Sequence, residues 1–194
     1  MLKQLVAGVV VAVMLTGATV AGSLEDGLAA YLRGDYAEAL RLWKPLADQG
    51  DAAAQFNIGV MYATGRGVAQ DYGETILWYR KAADQGNASA QFNLGLMYTT
   101  GRGVAQDYGE AAKWYSKAAA QGHADAQYNL GVMHFHGRSV LQDYVLAHMW
   151  FNLAASRGQE EAVKGRDAVA SRMTPDQIAE AQRLAREWKP SAER

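Results

Sequence analysis

Residues 51–86 read "DAAAQFNIGVMYATGRGVAQDYGETILWYRKAADQG", and residues 87–122 are identical to them at 26 of 36 positions. Residues 123–158 are a third, more diverged copy in the same register. A fixed period of this length indicates a repeat architecture, in which each unit buries its apolar face against its neighbours. The string "TGRGVAQDYGE" at residues 64–74 returns unchanged at residues 100–110, and it raises the question of whether it is a site or a connector.

Each copy predicts two helices. In the first segment, Ala54, Ile58 and Met61 have the i, i+4, i+7 spacing that places apolar side chains on one buried helical stripe. The second segment, "YGETILWYRKAADQG" at residues 72–86, shows apolar residues at the same kind of spacing. The unit is therefore a helix, a loop and a second helix.

The repeated glycine-rich string is predicted to be the connector between these helices. Gly65 and Gly67 end the first helix and let the chain reverse, and Asp71 begins the second helix as its N-cap. Glu74 stands three residues after Asp71, which is the spacing of a capping box. A phosphate-binding loop is the functional alternative, but no Gly-Lys-Ser/Thr follows and no strand pattern precedes the string.

These residues carry a family resemblance. The runs "AQFNLGLMY", "GRGVAQD" and "WYSKAAAQG" at a period of 36 residues closely resemble the SLR (Sel-one-like) repeat, a relative of the tetratricopeptide repeat with a longer loop. The resemblance covers residues 51–158. Residues 22–50 are similar to a shorter, tetratricopeptide-like first pair.

The resemblance and the helix pattern together predict an all-α, right-handed superhelical solenoid of antiparallel helix pairs with a C-terminal capping helix. In residues 159–194, Thr174, Pro175 and Gln177 have the pattern of a capped helix start. The predicted segments are a signal peptide (1–21), the first pair (22–50), three SLR repeats (51–86, 87–122 and 123–158) and the cap (159–194).

The first 21 residues differ in composition from the rest. Lys3 is their single charge, residues 5–21 are largely apolar, and small residues precede Gly22. We interpret this segment as a cleaved secretory signal, so that the mature protein is periplasmic or secreted and has no stable membrane span. An uncleaved anchor is the alternative, because seventeen largely apolar residues lie at the short limit for crossing a bilayer.

Composition argues against several functions. The formal net charge of −1 provides no basic field for nucleic acid, and the absence of cysteine removes thiolate metal ligands and cysteine nucleophiles. His134 and His136 end a helix, where neighbours two apart diverge, so no metal site is predicted. His148 is assigned to the helical position held by Leu77 and Lys113 in the earlier copies, and it is expected to face solvent. No catalytic motif is found, so we expect no enzyme activity and no cofactor.

Large and small residues recur at the repeat period. The tryptophans are interpreted as packing residues between helix pairs, and the glycines as points of close helix approach. The residues concerned are Trp78, Trp114, Trp150, Gly59, Gly95 and Gly131.

Polar and adaptable residues on the first helix of each pair form the candidate binding surface. In similar solenoids this helix lines the concave face, where amides can bond to an extended peptide. An alternative is that the asparagines bond to neighbouring helix backbones. The candidate residues are Asn57, Met61, Thr64, Asn93, Met97, Thr100, Asn129, Met133 and His136.

The function expected from this surface is that of a non-enzymatic scaffold or adaptor in the cell envelope, which binds a protein or peptide in its groove. Two alternatives stay open. One is an envelope enzyme acting on peptidoglycan or β-lactams; binding or hydrolysis of β-lactams is associated with some cysteine-rich relatives. The other is a secreted effector that acts on a host. The sequence leaves the partner and the oligomeric state open.

Overall fold

The structure, a computed structural model, describes residues 24–191, and every regular element in that range is a helix. The predicted signal peptide lies outside the described residues. The chain divides into two compact units at Gln85 and Gly86. The first contains α1 (24–32), α2 (Tyr36–Asp48), α3 (Ala52–Thr64) and α4 (Tyr72–Asp84). The second contains α5 (Ala88–Thr100), α6 (Tyr108–Ala120), α7 (Ala124–His136), α8 (Tyr144–Ser156), α9 (Glu160–Ala170) and α10 (Pro175–Glu187).

Consecutive helices pack against each other within each unit. In the first, α3 packs against both α2 and α4, around a core that includes Trp43, Ile58, Met61 and Trp78. In the second, α5, α6, α7 and α8 pack in chain order, and α8 also contacts α9 and α10. The predicted first-helix stripe is confirmed, because Ala54, Ile58 and Met61 are fully buried. The all-α fold class of consecutive helix pairs is confirmed as well.

The recurring glycines allow helices of one pair to approach closely. A Cβ atom built on Gly95 would lie 2.6 Å from two ring carbons of Tyr115, and one on Gly131 would lie 2.7 Å from two ring carbons of Phe151. These separations are far below carbon–carbon contact distance, so a side chain at either position requires the partner ring to move. The prediction that these glycines are points of close approach is confirmed.

Two of the repeated tryptophans are packing residues, as expected. Trp78 and Trp114 are buried, and Trp150 is half-buried with its ring set edge-on to Trp188 at 6.5 Å between centroids. A lysine one turn further along the same helix, Lys81 or Lys117, lies over the indole face of Trp78 or Trp114. The indoles are therefore covered by the protein's own side chains.

The N-caps are confirmed, but the capping boxes at Asp71 and Asp107 are only half formed. The Asp107 carboxylate accepts hydrogen bonds from the backbone N–H groups of Gly109 and Glu110 at 2.8 and 3.0 Å. The reciprocal bond is missing, because the Asp107 N–H donates to the Tyr98 carbonyl and the Glu110 carboxylate pairs with Lys113. The Tyr98 carbonyl of α5 therefore accepts the hydrogen bond that the sequence spacing assigned to the glutamate. At Thr174 and Gln177 both halves of the box form.

The third connector keeps the shape of the other two despite its diverged sequence. Gly137 ends α7 in the left-handed conformation at φ 65°, as Gly65 ends α3 at φ 67°. Ser139 stands where the earlier copies have glycine, and it adopts φ 57° in the same left-handed region.

Among the helices of residues 24–191, none combines the length and apolar character that a membrane crossing requires.

Candidate functional site

The three predicted asparagines occupy equivalent places on the first helices of the repeats. Asn57 lies on α3, Asn93 on α5 and Asn129 on α7, and each is half-buried. Their side-chain amides make no hydrogen bond to any of residues 24–191. The alternative that they bond to neighbouring helix backbones is therefore wrong for the described chain. Half-buried amides without partners are available to bond a ligand.

Asn129 borders a small pocket in the second unit, with a volume of about 130 Å³. Helices α5, α6 and α7 and the connector after α7 contribute its walls. The pocket combines an amide, two phenol rings and a guanidinium with apolar surface from α7. Its lining residues are Thr99, Tyr108, Tyr115, Asn129, Val132, Met133 and Arg138.

The wall formed by α5 and α6 is fixed by a hydrogen-bond chain. The Thr99 hydroxyl donates to the Gly95 carbonyl at 2.8 Å, which uses its only proton. The Tyr115 hydroxyl, 3.0 Å away, must therefore donate to the Thr99 oxygen. Burial raises the pKa of Tyr115. The phenol is neutral at physiological pH, and its ring holds a fixed position in the pocket.

Arg138 closes the pocket from the connector. Its guanidinium lies over the Tyr108 ring at 4.9 Å from the centroid, within the range of a cation–π contact. Arg66, the equivalent residue of the first connector, lies over both Tyr31 and Tyr36 and donates to the Tyr31 hydroxyl at 2.7 Å. Sequence reasoning missed this role, although the recurrence of arginine between the two connector glycines was a visible signal.

The predicted methionines are placed differently from the expectation. Met61 is fully buried in the core of the first unit, and Met97 and Met133 are also buried. Each lies three residues after a buried aliphatic residue (Ile58, Leu94 or Leu130) and so continues the buried stripe of its helix. Their proposed role as an adaptable exposed stripe is corrected accordingly. Met133 contributes part of the wall of the pocket beside Asn129.

Thr64, Thr100 and His136 are exposed at the ends of the first helices. The hydroxyls of the two threonines each donate to a carbonyl one turn back in the same helix at 2.8 Å, so they retain only acceptor capacity for a partner. The His136 ring lies edge-on to Phe135. No group of three or more metal-ligating side chains is found among residues 24–191.

His148 is not exposed, contrary to the expectation. It is 3% exposed on α8, and the 36-residue register aligns it with Ile76 and Ala112 rather than with the exposed Leu77 and Lys113. The error came from placing the residue one position out of register. On a helix that shift moves a side chain by about 100°, enough to exchange a buried face for an exposed one.

Consecutive antiparallel helix pairs with a constant period define a helical-repeat protein. The Sel1 repeat model matches residues 21–51, 52–87, 88–123 and 124–159, and the chain belongs to the Sel1 repeat family. A search of curated proteins returned no match.

Two solved structures are similar to this chain. One is a Sel1 repeat protein from Oxalobacter formigenes, with a TM-score of 0.69 and 38% identity, aligned over 72% of this chain and 57% of that one. The other is a protective antigen with an SLR fold from uropathogenic Escherichia coli, with a TM-score of 0.63 and 27% identity, aligned over 90% of this chain and 46% of that one. This chain therefore spans about half the length of both solved relatives.

Proposed function

We propose that this chain is a non-enzymatic interaction scaffold of the cell envelope, which binds a peptide or protein segment along the first helices of its repeats. Sel1 repeat proteins are typically scaffolds for protein–protein interaction. The observation that carries the proposal is the pair of unpartnered, half-buried amides on α5 and α7 of the second unit, with an equivalent amide on α3 of the first unit. An amide side chain can donate to a peptide carbonyl and accept from a peptide N–H, which suits an extended backbone.

The pocket beside Asn129 supports a contact that is partly polar and partly apolar. Val132 and Met133 provide apolar surface, and the Arg138 guanidinium provides donors at its edge. A volume of about 130 Å³ suits one small side chain of a partner rather than a cofactor, because ligand pockets for drug-sized molecules are about 300 Å³ or larger. The proposed partner therefore lies on the surface and inserts single side chains.

The binding proposal is tested with peptides selected from a random displayed library against the full chain. We expect the double variant Asn93→Ala with Asn129→Ala to bind the selected peptides about five- to hundredfold more weakly, since each of the two lost hydrogen bonds contributes about 0.5–1.5 kcal/mol. Its thermal stability should not fall, because these amides bond to nothing in the described fold and alanine has the higher helix propensity.

The matched control is Asn152→Ala, which removes an amide from the second helix α8. It should leave peptide affinity unchanged. Wild-type affinity in the double variant, or equal losses in the double variant and the control, would reject the asparagine surface.

The envelope location is a proposal that rests on residues 1–21. Cell fractionation with N-terminal sequencing of the mature chain tests it. A chain that starts at Gly22 in the periplasmic or secreted fraction supports the proposal, and a cytoplasmic chain that retains Met1 contradicts it.

A further inference from the structure

The C-terminal cap and the third repeat border a cavity of about 430 Å³ that is open to solvent. It is larger than the pocket beside Asn129. It lies within the second unit, between α8, α9 and α10, and it is lined by different residues from the pocket beside Asn129. Most of its lining is polar or charged. The polar residues are His148, Asn152, Arg166, Asp167, Gln182 and Arg186.

His148 is the most unusual residue of this lining. It is 3% exposed, and its imidazole makes no hydrogen bond to the described residues; its Nδ1 atom is sealed from solvent without a partner. The earlier repeats place Ile76 and Ala112 at this position, so packing alone does not require a polar ring. A buried polar ring without a hydrogen-bond partner costs stability, so its presence here needs a reason other than packing.

The state of this imidazole follows from its surroundings. Burial lowers the pKa of His148, the positive charge of Arg166 on α9 lowers it further, and Asp167 opposes both. The ring is therefore neutral at physiological pH. The Nδ1 atom is sealed, so Nε2 is the ring nitrogen that can reach a ligand, and it donates there in the tautomer that carries the proton on Nε2. The ring then has a donor that no described residue accepts.

Three other lining side chains carry hydrogen-bond donors that have no partner among the described residues. Arg186 on α10 forms no ion pair within residues 24–191, and neither Asn152 nor Gln182 forms a hydrogen bond there. The one carboxylate, Asp167, is engaged by Arg166 at 3.0 Å. A cavity with a free guanidinium, a neutral imidazole donor and two amides is complementary to oxygen atoms that bear negative charge.

We propose that this cavity is a binding site for a small organic molecule with a carboxylate or phosphate group, whose oxygens accept hydrogen bonds from Arg186 and His148. The site belongs to the third repeat and the cap, because the earlier repeats lack the histidine. It is separate from the peptide surface on the first helices, and each proposal can fail without the other.

Isothermal titration of the full chain with malonate, citrate and inorganic phosphate tests the proposal, with malonamide as the uncharged analogue of malonate. We expect saturable binding of at least one anion at millimolar or lower concentration, and a matching rise in melting temperature. Malonate or citrate binding without phosphate binding assigns a carboxylate ligand, and the reverse assigns a phosphate. Equal effects of malonamide or of sodium chloride would overturn the proposal.

Two substitutions locate the site. Arg186→Gln and His148→Ile should each weaken anion binding at least about tenfold, as expected for the loss of one charge-assisted hydrogen bond. Arg183→Gln is the matched control on the same helix, since Arg183 pairs with Glu180 and Glu187 and does not line the cavity. Equal losses in Arg186→Gln and Arg183→Gln, or no saturable binding of any anion to the wild type, would reject the site.

Discussion

Gly95→Ala changes stability through two effects of opposite sign. Alanine in a helix interior is favoured over glycine by about 1 kcal/mol, so α5 alone would gain stability. In the folded chain the new Cβ atom would lie 2.6 Å from Cδ1 and Cε1 of Tyr115, about 1 Å inside the optimal carbon–carbon separation. The Tyr115 ring is buried and its hydroxyl is bonded to Thr99, so the ring is not free to move away.

Overpacking of this kind costs about 1–3 kcal/mol, and contact with two ring carbons places this clash at the upper end. After subtraction of the helix-propensity gain, we expect a net loss of about 2 kcal/mol in the free energy of unfolding. Urea unfolding followed by far-ultraviolet circular dichroism measures this loss.

The decisive comparison is the same substitution in a Tyr115→Ala background. Without the ring, Gly95→Ala should stabilise the chain by up to about 1 kcal/mol, so the sign of the effect reverses. A neutral or stabilising effect of Gly95→Ala in the wild type would refute the close-approach argument, and so would an undiminished loss in the Tyr115→Ala background.

Two further predictions concern the cap and the core, and the response to acid. Asp107→Ala should lower the free energy of unfolding by about 0.5–2 kcal/mol, because the helix N-cap is lost. Trp114→Ala should lower it by about 3–5 kcal/mol, because a cavity is left in the core. Equal losses in urea unfolding would contradict both assignments. Because the pKa of His148 is lowered in the folded chain, the unfolded chain binds more protons as pH falls through the ordinary histidine range. The free energy of unfolding should therefore be highest above about pH 7 and decrease toward pH 5. The decrease should be smaller in His148→Ile, and identical pH profiles for the two proteins would exclude His148 as a cause.

Most of the fold could be predicted from residue spacing. The stripe of Ala54, Ile58 and Met61 predicted the buried face of α3, and Asp71 predicted the start of α4. Gly95 was interpreted correctly because glycine recurs at this helical position in each repeat, and close approach of a neighbouring helix explains that recurrence. These features depend on residues a few positions apart, and their spacing recurs in each repeat of the sequence.

The candidate sites depended on contacts between residues distant in the chain. Asn129 was predicted as a surface amide, but its position beside Tyr115 and under the edge formed by Arg138 follows from how α6 and α7 pack. Met133 was predicted as a binding residue, but it is buried because it lies on the packed face of α7.

The amino-acid sequence was enough to define the helices, their caps, the repeat period and the family. The packing of α8 against α9 and α10 was needed to bury His148 and to place Arg186 on the same cavity. Helix formation and capping are governed by residues a few positions apart, and the pattern records them directly. A cavity is formed by side chains of different helices that come into contact only when the helices pack. The spacing of residues along the chain does not predict those contacts.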